Sequence, residues 1–292
     1  MISIVIRSKN DAELIGATIS AVHGQDVEDS VELIHIDSGS TDGTVDLIRA
    51  AQPQKLIEIK AEEYVPGLVL NRGMREASGE WVVFLNSDCQ PVDRQWLREL
   101  LAKRNAGIGA IFGRQEPRPG CQAVYAHDYE RCFGDARESS EWEHFFSMAN
   151  SAVNRAAWEQ QPFREDLQYS EDNEWSRRLL KHGWGVAYAE NARVMHSHNY
   201  TLRQAFRRCY GEVFALAALT TVTPAGGYGF FRTMILGNAR EAVRDLRYCW
   251  RTRRVAEWPH ALAVRTWQRA GRLRGFREGR RRCRAGNEAV AR

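Results

Sequence analysis

Short apolar runs alternate with helically patterned segments over the first third of the chain. The run ISIVI is continuously apolar, as in a strand buried on both faces, and VELIHID, KLIEI and WVVFLN follow as further strands. Between them, AELIGATISAVHGQ, TVDLIRAAQ and LVLNRGMREAS carry the apolar spacing of helices, the last ending near Gly79. Strand–helix alternation of this kind predicts an α/β fold with a mainly parallel sheet flanked by helices.

Beyond residue 107 the alternation becomes less regular. IGAIFGRQ predicts a strand, AVYAHDYERCF a helix, and FSMANSAVNR a strand that leads into a short helix. A helix from Asp172 to His182 and a strand at GVAYA follow, and from Thr201 onward the pattern is helical, with breaks at Gly226-Gly227 and Pro259. We therefore predict a domain over residues 1–200, with halves of about 1–106 and 107–200, and a helical region over 201–292.

Polar residues stand at the carboxyl ends of three predicted strands, where open parallel sheets bind their ligands. They are Arg7-Ser8-Lys9-Asn10, Asp37-Ser38-Gly39-Ser40 and Asn86-Ser87-Asp88. In an extended segment Asn86 and Asp88 point the same way, so their oxygens can face one Mg²⁺ or Mn²⁺ ion. Each segment also fits an ordinary turn, because IDSGSTDGT can cap a helix and Asn-Ser-Asp is a common turn composition.

Two histidines, His196 and His198, follow a strand-like lead-in in VMHSHNY. They fit a metal site together with Asp88, and they equally fit a structural role. Zinc is disfavoured because no third or fourth ligand has a recognisable spacing. The six cysteines include no CxxC pair, which predicts free thiols in a reducing cytosol, and the start MISIVIRSKN predicts no signal peptide.

The segment YSEDNEW places Glu171, Asp172 and Glu174 at the start of a predicted helix. Ser170 is a suitable N-cap, and the helix dipole stabilises carboxylates in the first turn. The same dipole keeps a carboxylate ionised, as a catalytic base must be. These seven residues alone do not distinguish a charged helix start from a base.

Taken in order, these segments resemble the inverting glycosyltransferases of family 2, which have the nucleotide-sugar-binding GT-A fold. The resemblance covers about residues 2–200 and is carried by VIRSKNDAELIGATISAVHGQ, IDSGSTDGT, LNRGMREASGEWVVFLNSD, SEDNEWSRRLLKHGW and VMHSHNY. The HSHNY element and PGLVLNRG look more like bacterial surface-polysaccharide enzymes, including rhamnosyltransferases, than like cellulose or chitin synthases. The implied architecture is a GT-A catalytic domain, its first half for the nucleotide sugar and its second for the acceptor, followed by a helical Arg-rich extension.

The resemblance implies which residues bind the nucleotide sugar. Asp37 matches the family's contact to the nucleotide base or ribose. The other implied contacts are Arg7, Ser8, Asn10, Ser38, Asn71, Asn86, Ser87 and Asp88. The chain departs from the family's usual DDGS at Ser38, which replaces the second Asp and alters one nucleotide contact.

The resemblance also implies a metal site and a catalytic base. Asp88 matches the last, metal-binding Asp of the family's D-x-D motif, and one of the two histidines of VMHSHNY is implied close to the metal. The pair Glu171-Asp172 matches the catalytic motif, with Asp172 as the base. Asn86 replaces the first Asp of D-x-D, which implies either a weaker metal site or catalysis with little metal dependence.

The implied activity is a single inverting displacement in bacterial cell-surface polysaccharide synthesis. A sugar passes from a UDP-, dTDP- or GDP-linked donor to a hydroxyl of a saccharide or lipid-linked acceptor, with Mg²⁺ or Mn²⁺ as cofactor. One alternative is a sugar nucleotidyltransferase, although no Gly-rich N-terminal phosphate loop is present. The other is a catalytically inactive carbohydrate-binding relative, which the intact Glu171-Asp172 pair disfavours.

Charge is distributed unevenly along the chain. Residues 201–292 hold 20 Arg, no Lys and 6 acids, a net charge of +14, whereas residues 1–200 have a net charge of −10. A nucleic-acid-binding module would explain the basic region but not the acidic one, so we expect no nucleic-acid partner. Trp250, Trp258 and Trp267 recur at spacings of eight to nine, as on an interfacial helix. With no run long enough to span a membrane, we expect a cytoplasmic protein bound peripherally to the anionic inner face of the cytoplasmic membrane. The alternative is that the basic region is a solvated helical bundle that packs against the catalytic domain.

Overall fold

The computed structural model describes residues 1–134, 145–219 and 229–290, with side chains as far as residue 283. Its contacts form two compact units that interleave along the chain. The first unit comprises Met1–Arg118, Glu130–Leu167 and Glu171–His196, and the second comprises Pro119–Tyr129, Gln168–Ser170 and Ser197–Arg292. The assignment of residues 1–200 and 201–292 to separate functional domains stays a prediction.

An eight-stranded sheet forms the framework of the first unit. Its strands are β1 (Ile2–Ser8), β2 (Val31–Asp37), β3 (Lys55–Glu58), β4 (Trp81–Asn86), β5 (Gln90–Pro91), β6 (Ile108–Glu116), β7 (Asn150–Asn154) and β8 (Gly185–Met195). They lie in the order β3-β2-β1-β4-β7-β6-β8-β5. The four predicted strands of the first third run parallel, and so do β6 and β8, whereas β7 is antiparallel to β4 and β6, and β5 is antiparallel to β8.

The apolar runs of β1 and β4 are buried on both faces of the sheet, as their continuous hydrophobicity predicts. The accompanying helices are α1 (Ile15–His23), α2 (Thr44–Ala50), α3 (Pro66–Glu76), α4 (Trp96–Leu101), α6 (Arg155–Gln160) and α7 (Glu171–Lys181), whereas most of α5 (Ala123–Phe133) belongs to the second unit. Trp96, Ile15 and Ile19 are buried in one core cluster with apolar residues of β1 and β4. This packing fixes the strand ends that carry the candidate site.

His35 is a buried titratable residue of β2. No part of its side chain is exposed, and neither ring nitrogen has a hydrogen-bond partner among the described residues. Burial lowers the pKa of His35 to about 4, helped by repulsion from His23 and opposed by the carboxylate of Asp37. The imidazole is therefore neutral in the folded protein near neutral pH.

The substitution His35→Leu should make folding stability less dependent on pH between about 4 and 6.5. In the unmodified protein the unfolded chain takes up a proton at His35 below pH 6.5, whereas the folded protein does so near pH 4. Stability should therefore fall by about 3 kcal/mol as the pH drops through this range. Urea unfolding of both proteins at several pH values measures the difference, and parallel pH profiles would contradict the assignment.

Three helices dominate the described part of the second unit. They are α8 (Leu202–Leu219), α9 (Gly237–Arg251), preceded by a π-helical turn over Phe231–Leu236, and α10 (Trp258–Val290). The predicted break at Pro259 is confirmed, since α10 begins there and its first turn tolerates proline. The predicted break at Gly226-Gly227 lies outside the described residues. None of the described helices combines the length and hydropathy needed to cross a membrane.

Helices α8 and α10 approach each other along a row of glycines. A Cβ atom built on Gly271 would lie 2.4 Å from the carbonyl oxygen of Phe206, and one on Gly275 would lie 2.4 Å from that of Tyr210. Gly279 repeats the pattern against Phe214, at 2.6 Å. No side chain fits at these distances, so the four-residue spacing of the glycines sets the register of the pair.

The sequence predicted that Trp250, Trp258 and Trp267 lie on one exposed helical side, and this prediction is wrong for Trp258. Trp250 is 77% exposed and Trp267 is 44% exposed. Trp258 instead packs against the core of the second unit, and its indole nitrogen donates to the carbonyl oxygen of Ala242 at 2.9 Å. As predicted, the three tryptophans do not share one helix: α9 ends at Arg251, and α10 begins at Trp258 with Pro259 in its first turn.

Candidate active site

Three strand ends of the first unit lie side by side. Arg7 of β1 is in register with Ile36 of β2 and with Asn86 of β4, and Ser8 is in register with Asp37. The polar segments predicted at the carboxyl ends of these strands are therefore neighbours, as expected for the ligand edge of a parallel sheet.

Asp37 organises the loop that follows β2. Its carboxylate, which is 1% exposed, accepts hydrogen bonds from the hydroxyls of Ser8 at 2.8 Å and Ser40 at 2.6 Å. It also accepts one from the backbone nitrogen of Ser40 at 2.8 Å. Since Gly39 has a φ of 74°, the loop turns sharply here at a position that suits glycine. Asp37 thus holds a tight loop at the strand end.

Residues after β1 connect to this loop. The ammonium group of Lys9 donates to the carbonyl oxygens of Ser38 at 2.8 Å and Gly39 at 2.5 Å. The side-chain oxygen of Asn10 accepts from the backbone nitrogen of Thr41 at 2.8 Å. These contacts give the ligand edge a fixed shape and place the positive charge of Lys9 against the backbone of the loop that follows β2.

Asn86 is bound by Arg7. The guanidinium of Arg7 donates to the side-chain oxygen of Asn86 at 2.7 Å, the same oxygen that the sequence assigns to a cation. The Nε atom of Arg7 is buried and has no hydrogen-bond partner among the described residues. The side-chain amide of Asn86, at the end of β4, is therefore paired with the cationic side chain of Arg7.

Asp88, Cys89 and His196 form a cluster of potential metal ligands. One ligand atom from each lies within 4.8 Å of the others, and Nε2 of His196 is 3.4 Å from Oδ2 of Asp88. Burial raises the pKa of the Cys89 thiol well above its ordinary value, and the charge of Asp88 adds to this effect. A neutral thiol is a poor ligand for Mg²⁺ or Mn²⁺, so oxygen and imidazole remain as the donors.

Gln115 orients the imidazole of His196. Its side-chain oxygen lies 2.7 Å from Nδ1 of His196, and its amide nitrogen donates to the hydroxyl of Ser147 at 2.9 Å. With a proton on Nδ1, Nε2 presents a lone pair to the carboxylate of Asp88. An imidazole nitrogen and a carboxylate oxygen 3.4 Å apart can both coordinate one divalent ion, so this pair fits a metal site.

The two predicted histidines lie in different units. His196 belongs to the first unit with Asp88, whereas His198 belongs to the second. The ring of His198 packs against Tyr200 with a centroid distance of 5.3 Å. Of the two, His196 is the one that the structure pairs with the predicted metal ligand.

Asn71 is enclosed in the interior of the first unit. Its side-chain nitrogen donates to the Phe163 carbonyl and to Glu165, both at 2.8 Å. Its oxygen accepts from the Trp158 indole at 2.8 Å and from the Phe163 backbone at 3.0 Å. All the hydrogen-bonding positions of the amide are used, which favours a structural role over the implied sugar-nucleotide contact.

The three acids of YSEDNEW have different surroundings. Glu171 and Asp172 are half-buried in the first turn of α7, and Asp172 accepts from the backbone nitrogen of Asn173 at 2.7 Å. Glu174 is bound by Arg178 at 2.9 and 3.0 Å, an i,i+4 pair within the helix. Ser170 has a φ of 61°, outside the extended region usual for an N-cap, and its hydroxyl donates to the carbonyl oxygen of Glu212. Glu174 is therefore structural, and Asp172 with Glu171 remains as the candidate acid–base pair.

Several residues of the site were not identified from the sequence. Asp11 accepts a hydrogen bond from Ser87, and burial together with the charge of Asp88 raises its pKa. Arg118 donates to the backbone carbonyl of Asp88, and Gln115 orients His196. These contacts join residues far apart in the chain, and no local motif marks them.

Residues 3–160, just over half of the chain, match the model of glycosyl transferase family 2. The O-antigen chain rhamnosyltransferase WbaN of Salmonella anatum is 30% identical over 191 residues, covering 61% of this chain and 60% of WbaN. The O-antigen chain rhamnosyltransferase RfbN of Salmonella typhimurium is 27% identical over 221 residues, covering 72% of this chain and 70% of RfbN. The chain thus spans less than two thirds of WbaN.

Among solved structures, a mannosyltransferase from Pyrobaculum calidifontis, PcManGT, determined in complex with GDP-Man and Mn²⁺, is similar with a TM-score of 0.59. The two chains are 21% identical, and the similarity covers 89% of this chain and 73% of PcManGT. This likeness confirms the predicted GT-A-type fold.

Proposed function

Because this chain belongs to glycosyl transferase family 2, we propose that it is an inverting enzyme that transfers a sugar from a nucleoside-diphosphate sugar to a hydroxyl of a saccharide or lipid-linked acceptor. That it is a glycosyltransferase follows from the family and from its rhamnosyltransferase relatives. The observation that supports this chemistry best is the ligand edge: Asp37 at the end of β2 and Asp88 after β4 lie on either side of β1, and Asp88 is 3.4 Å from His196.

The nucleotide sugar binds, in this proposal, at the ends of β1, β2 and β4. Asp37 and Ser38 hold the base or ribose, and Arg7, Ser8 and Asn10 complete the pocket. Lys9, which is bound to the Ser38–Gly39 backbone, keeps the loop closed around it. Ser87 and Asn86 continue the pocket toward the diphosphate, and Asn71 is left out because its amide is fully used in the interior.

A divalent cation, Mg²⁺ or Mn²⁺, is held by Asp88 and His196 in this proposal. When bound, such an ion neutralises the negative charge that develops on the departing diphosphate. Asp88 supplies a carboxylate oxygen, and Gln115 keeps Nε2 of His196 turned toward it. Arg7, which is bound to Asn86, adds a fixed positive charge. This charge helps to neutralise the diphosphate where the neutral amide of Asn86 weakens the binding of the cation.

Asp172 is the proposed general base. The acceptor hydroxyl attacks the anomeric carbon of the donor, Asp172 takes up the hydroxyl proton, and the nucleoside diphosphate leaves from the opposite face of the sugar. The amino-terminal end of α7 stabilises the ionised carboxylate, and Glu171 lies beside it in the same turn.

The relatives point to a role in surface-polysaccharide synthesis. WbaN and RfbN are O-antigen chain rhamnosyltransferases, so we propose a related bacterial cell-surface glycan as the product. We also propose that the acceptor is lipid-linked and that the enzyme works in the cytoplasm, at the inner face of the cytoplasmic membrane. Nucleic acid is not among the proposed partners.

A panel of UDP-, dTDP- and GDP-linked sugars, each with and without Mg²⁺ or Mn²⁺, tests the proposed reaction. Release of nucleoside diphosphate from one donor class, stimulated by a saccharide acceptor and yielding the inverted anomer by NMR, is expected. Formation of nucleotide sugar from nucleoside triphosphate and sugar 1-phosphate would favour the nucleotidyltransferase alternative. Binding of sugars without turnover of any donor would favour an inactive relative.

The substitution Asn86→Asp should raise the affinity of donor-bound protein for Mn²⁺, because it adds a charge beside Asp88. The gain should be partial, since Arg7 binds the oxygen at this position. Adding Arg7→Gln should release the new carboxylate and raise the affinity again, by about tenfold, the size of one charge-assisted hydrogen bond. Calorimetric titration of Mn²⁺ into each variant with nucleoside diphosphate measures both steps. Unchanged affinity throughout would remove position 86 from the cation site.

A further inference from the structure

The outer face of α9 is apolar and largely exposed. Together with the π-helical turn before it, the helix exposes Phe231, Ile235, Leu236, Val243, Leu246 and Trp250. The exposed fractions range from 38% at Leu246 to 77% at Trp250. Leu236, Val243 and Trp250 are seven residues apart, which places them on one side of the helix. We call this surface, with its flanking arginines, the α9 face.

Arginines flank the apolar residues of the α9 face. Arg232, Arg240, Arg247 and Arg251 are all exposed on the same helical segment. Long cationic side chains beside an apolar stripe are typical of helices that lie in the interface of a membrane.

Both acids of this segment are buried. Between residues 229 and 251 the acidic residues are Glu241 and Asp245, which are 4% and 1% exposed. Asp245 binds Arg265 of α10 at 2.8 Å and His127 of α5 at 2.7 Å. Burial opposes its ionisation, but the hydrogen bonds from His127 and Arg265 lower the pKa of Asp245 to about 2. The exposed charges of the α9 face are therefore all positive.

The inner contacts also hold α9 against the rest of the second unit. Glu241 lies 3.5 Å from Arg269 of α10. Within α9 it also lies 3.1 Å from Arg244 and 3.9 Å from Arg240. The indole of Trp258 donates to the backbone of α9 at Ala242. A helix bound in this way presents its outer face as a fixed surface.

We propose that the α9 face docks on an anionic lipid bilayer, with the helix lying in the plane of the interface. Charge complementarity selects this occupant, since four arginines face outward and attract an anionic leaflet. A second copy of the chain would bring like-charged arginines together across a symmetric contact, which disfavours it. The inference deepens the proposed function and rests on it for the lipid-linked acceptor, which would be presented at such a surface.

Co-sedimentation of the full chain with phosphatidylglycerol-containing vesicles, compared with phosphatidylcholine vesicles, tests the docking. We expect binding to the anionic vesicles that weakens with salt. Each Arg near the surface contributes about fivefold to such affinity. Arg240→Glu with Arg247→Glu should therefore weaken binding at least tenfold, and Val243→Ser with Trp250→Ser should also weaken it at least tenfold.

Matched controls change exposed residues of the first unit. Arg98→Glu with Lys103→Glu makes the same change in net charge outside the α9 face, and Leu47→Ser removes an exposed apolar side chain there. Both should bind vesicles as the unmodified protein does. Trp250→Phe should keep vesicle binding but lose most of the blue shift in tryptophan fluorescence that binding produces.

The proposal is overturned if the full chain does not bind anionic vesicles or if the α9-face variants bind them as well as the unmodified protein does. It is also overturned if the control variants lose as much vesicle binding as the α9-face variants. A lipid-induced shift that persists in Trp250→Phe would also overturn it, as would concentration-dependent dimerisation abolished by the α9-face variants. Turnover of the donor with a water-soluble acceptor, measured without vesicles, should be unchanged in the α9-face variants. Its absence from the unmodified protein would count against the proposed function and leave the docking result to be judged separately.

Discussion

Replacing Asp172 by Asn is expected to lower the rate of sugar transfer by about 10²- to 10⁴-fold while donor binding stays nearly unchanged, because an amide cannot accept the acceptor's proton. Asp172 lies in the first turn of α7 and accepts a hydrogen bond from the backbone of Asn173, which the oxygen of an asparagine can also accept. The fold should therefore survive the substitution. Transfer is followed by product formation, and donor binding by calorimetry.

Glu174→Gln is the matched control for this experiment. Glu174 stands in the same segment, but Arg178 binds its carboxylate within α7. The variant should transfer sugar at close to the normal rate and lose only the small contribution of a helical ion pair to stability. A near-normal rate for Asp172→Asn, or an equal loss for Glu174→Gln, would refute the assignment of the base.

Replacing Asp88 by Ala should abolish stimulation by Mn²⁺ or Mg²⁺, weaken binding of nucleoside diphosphate and lower transfer by about 10²-fold or more. A cation on the departing diphosphate contributes several kcal/mol to the transition state, and Asp88 is the carboxylate of the proposed site. His196, 3.4 Å away, would remain without its charged partner. Titration of Mn²⁺ into nucleoside-diphosphate-bound protein measures the loss of affinity directly.

Cys89→Ser distinguishes an oxygen site from a thiolate site in the same cluster. Burial keeps the thiol of Cys89 neutral, so its replacement should leave the affinity for Mn²⁺ nearly unchanged. If Cys89→Ser loses as much affinity as Asp88→Ala, the sulfur is a ligand. If neither variant loses affinity, the cation binds elsewhere.

The fold was predictable where burial is continuous along the sequence. β1 and β4 are apolar along most of their length and were predicted with nearly their observed bounds, and α5 was predicted at Ala123–Phe133. β5 was missed because its two residues, Gln90 and Pro91, form a strand only by pairing with β8. The antiparallel placement of β7 between β4 and β6 was also not predicted, since it depends on contacts between distant segments.

The sequence predicted which strand ends carry the candidate site but not the hydrogen bonds that join their side chains. The sequence predicted that Asn86 and Asp88 both bind one cation. In the structure the guanidinium of Arg7, 79 residues earlier in the chain, donates a hydrogen bond to the side-chain oxygen of Asn86. The sequence also predicted Ser170 as a helix cap, but the left-handed backbone of that residue turns its hydroxyl toward Glu212. Local propensity describes neither contact, because both depend on the tertiary fold.

The glycine row of α10 also limits how the length of this helix can change in evolution. Each residue added to a helix rotates everything after it by about 100°, so an insertion of one or two residues between Gly271 and Gly279 would turn the later glycine away from α8. Four added residues rotate the helix by slightly more than one turn and keep the row close to its partner carbonyls. Relatives that retain this helix pair should therefore differ in length here in steps of about four residues, with a small residue at each step.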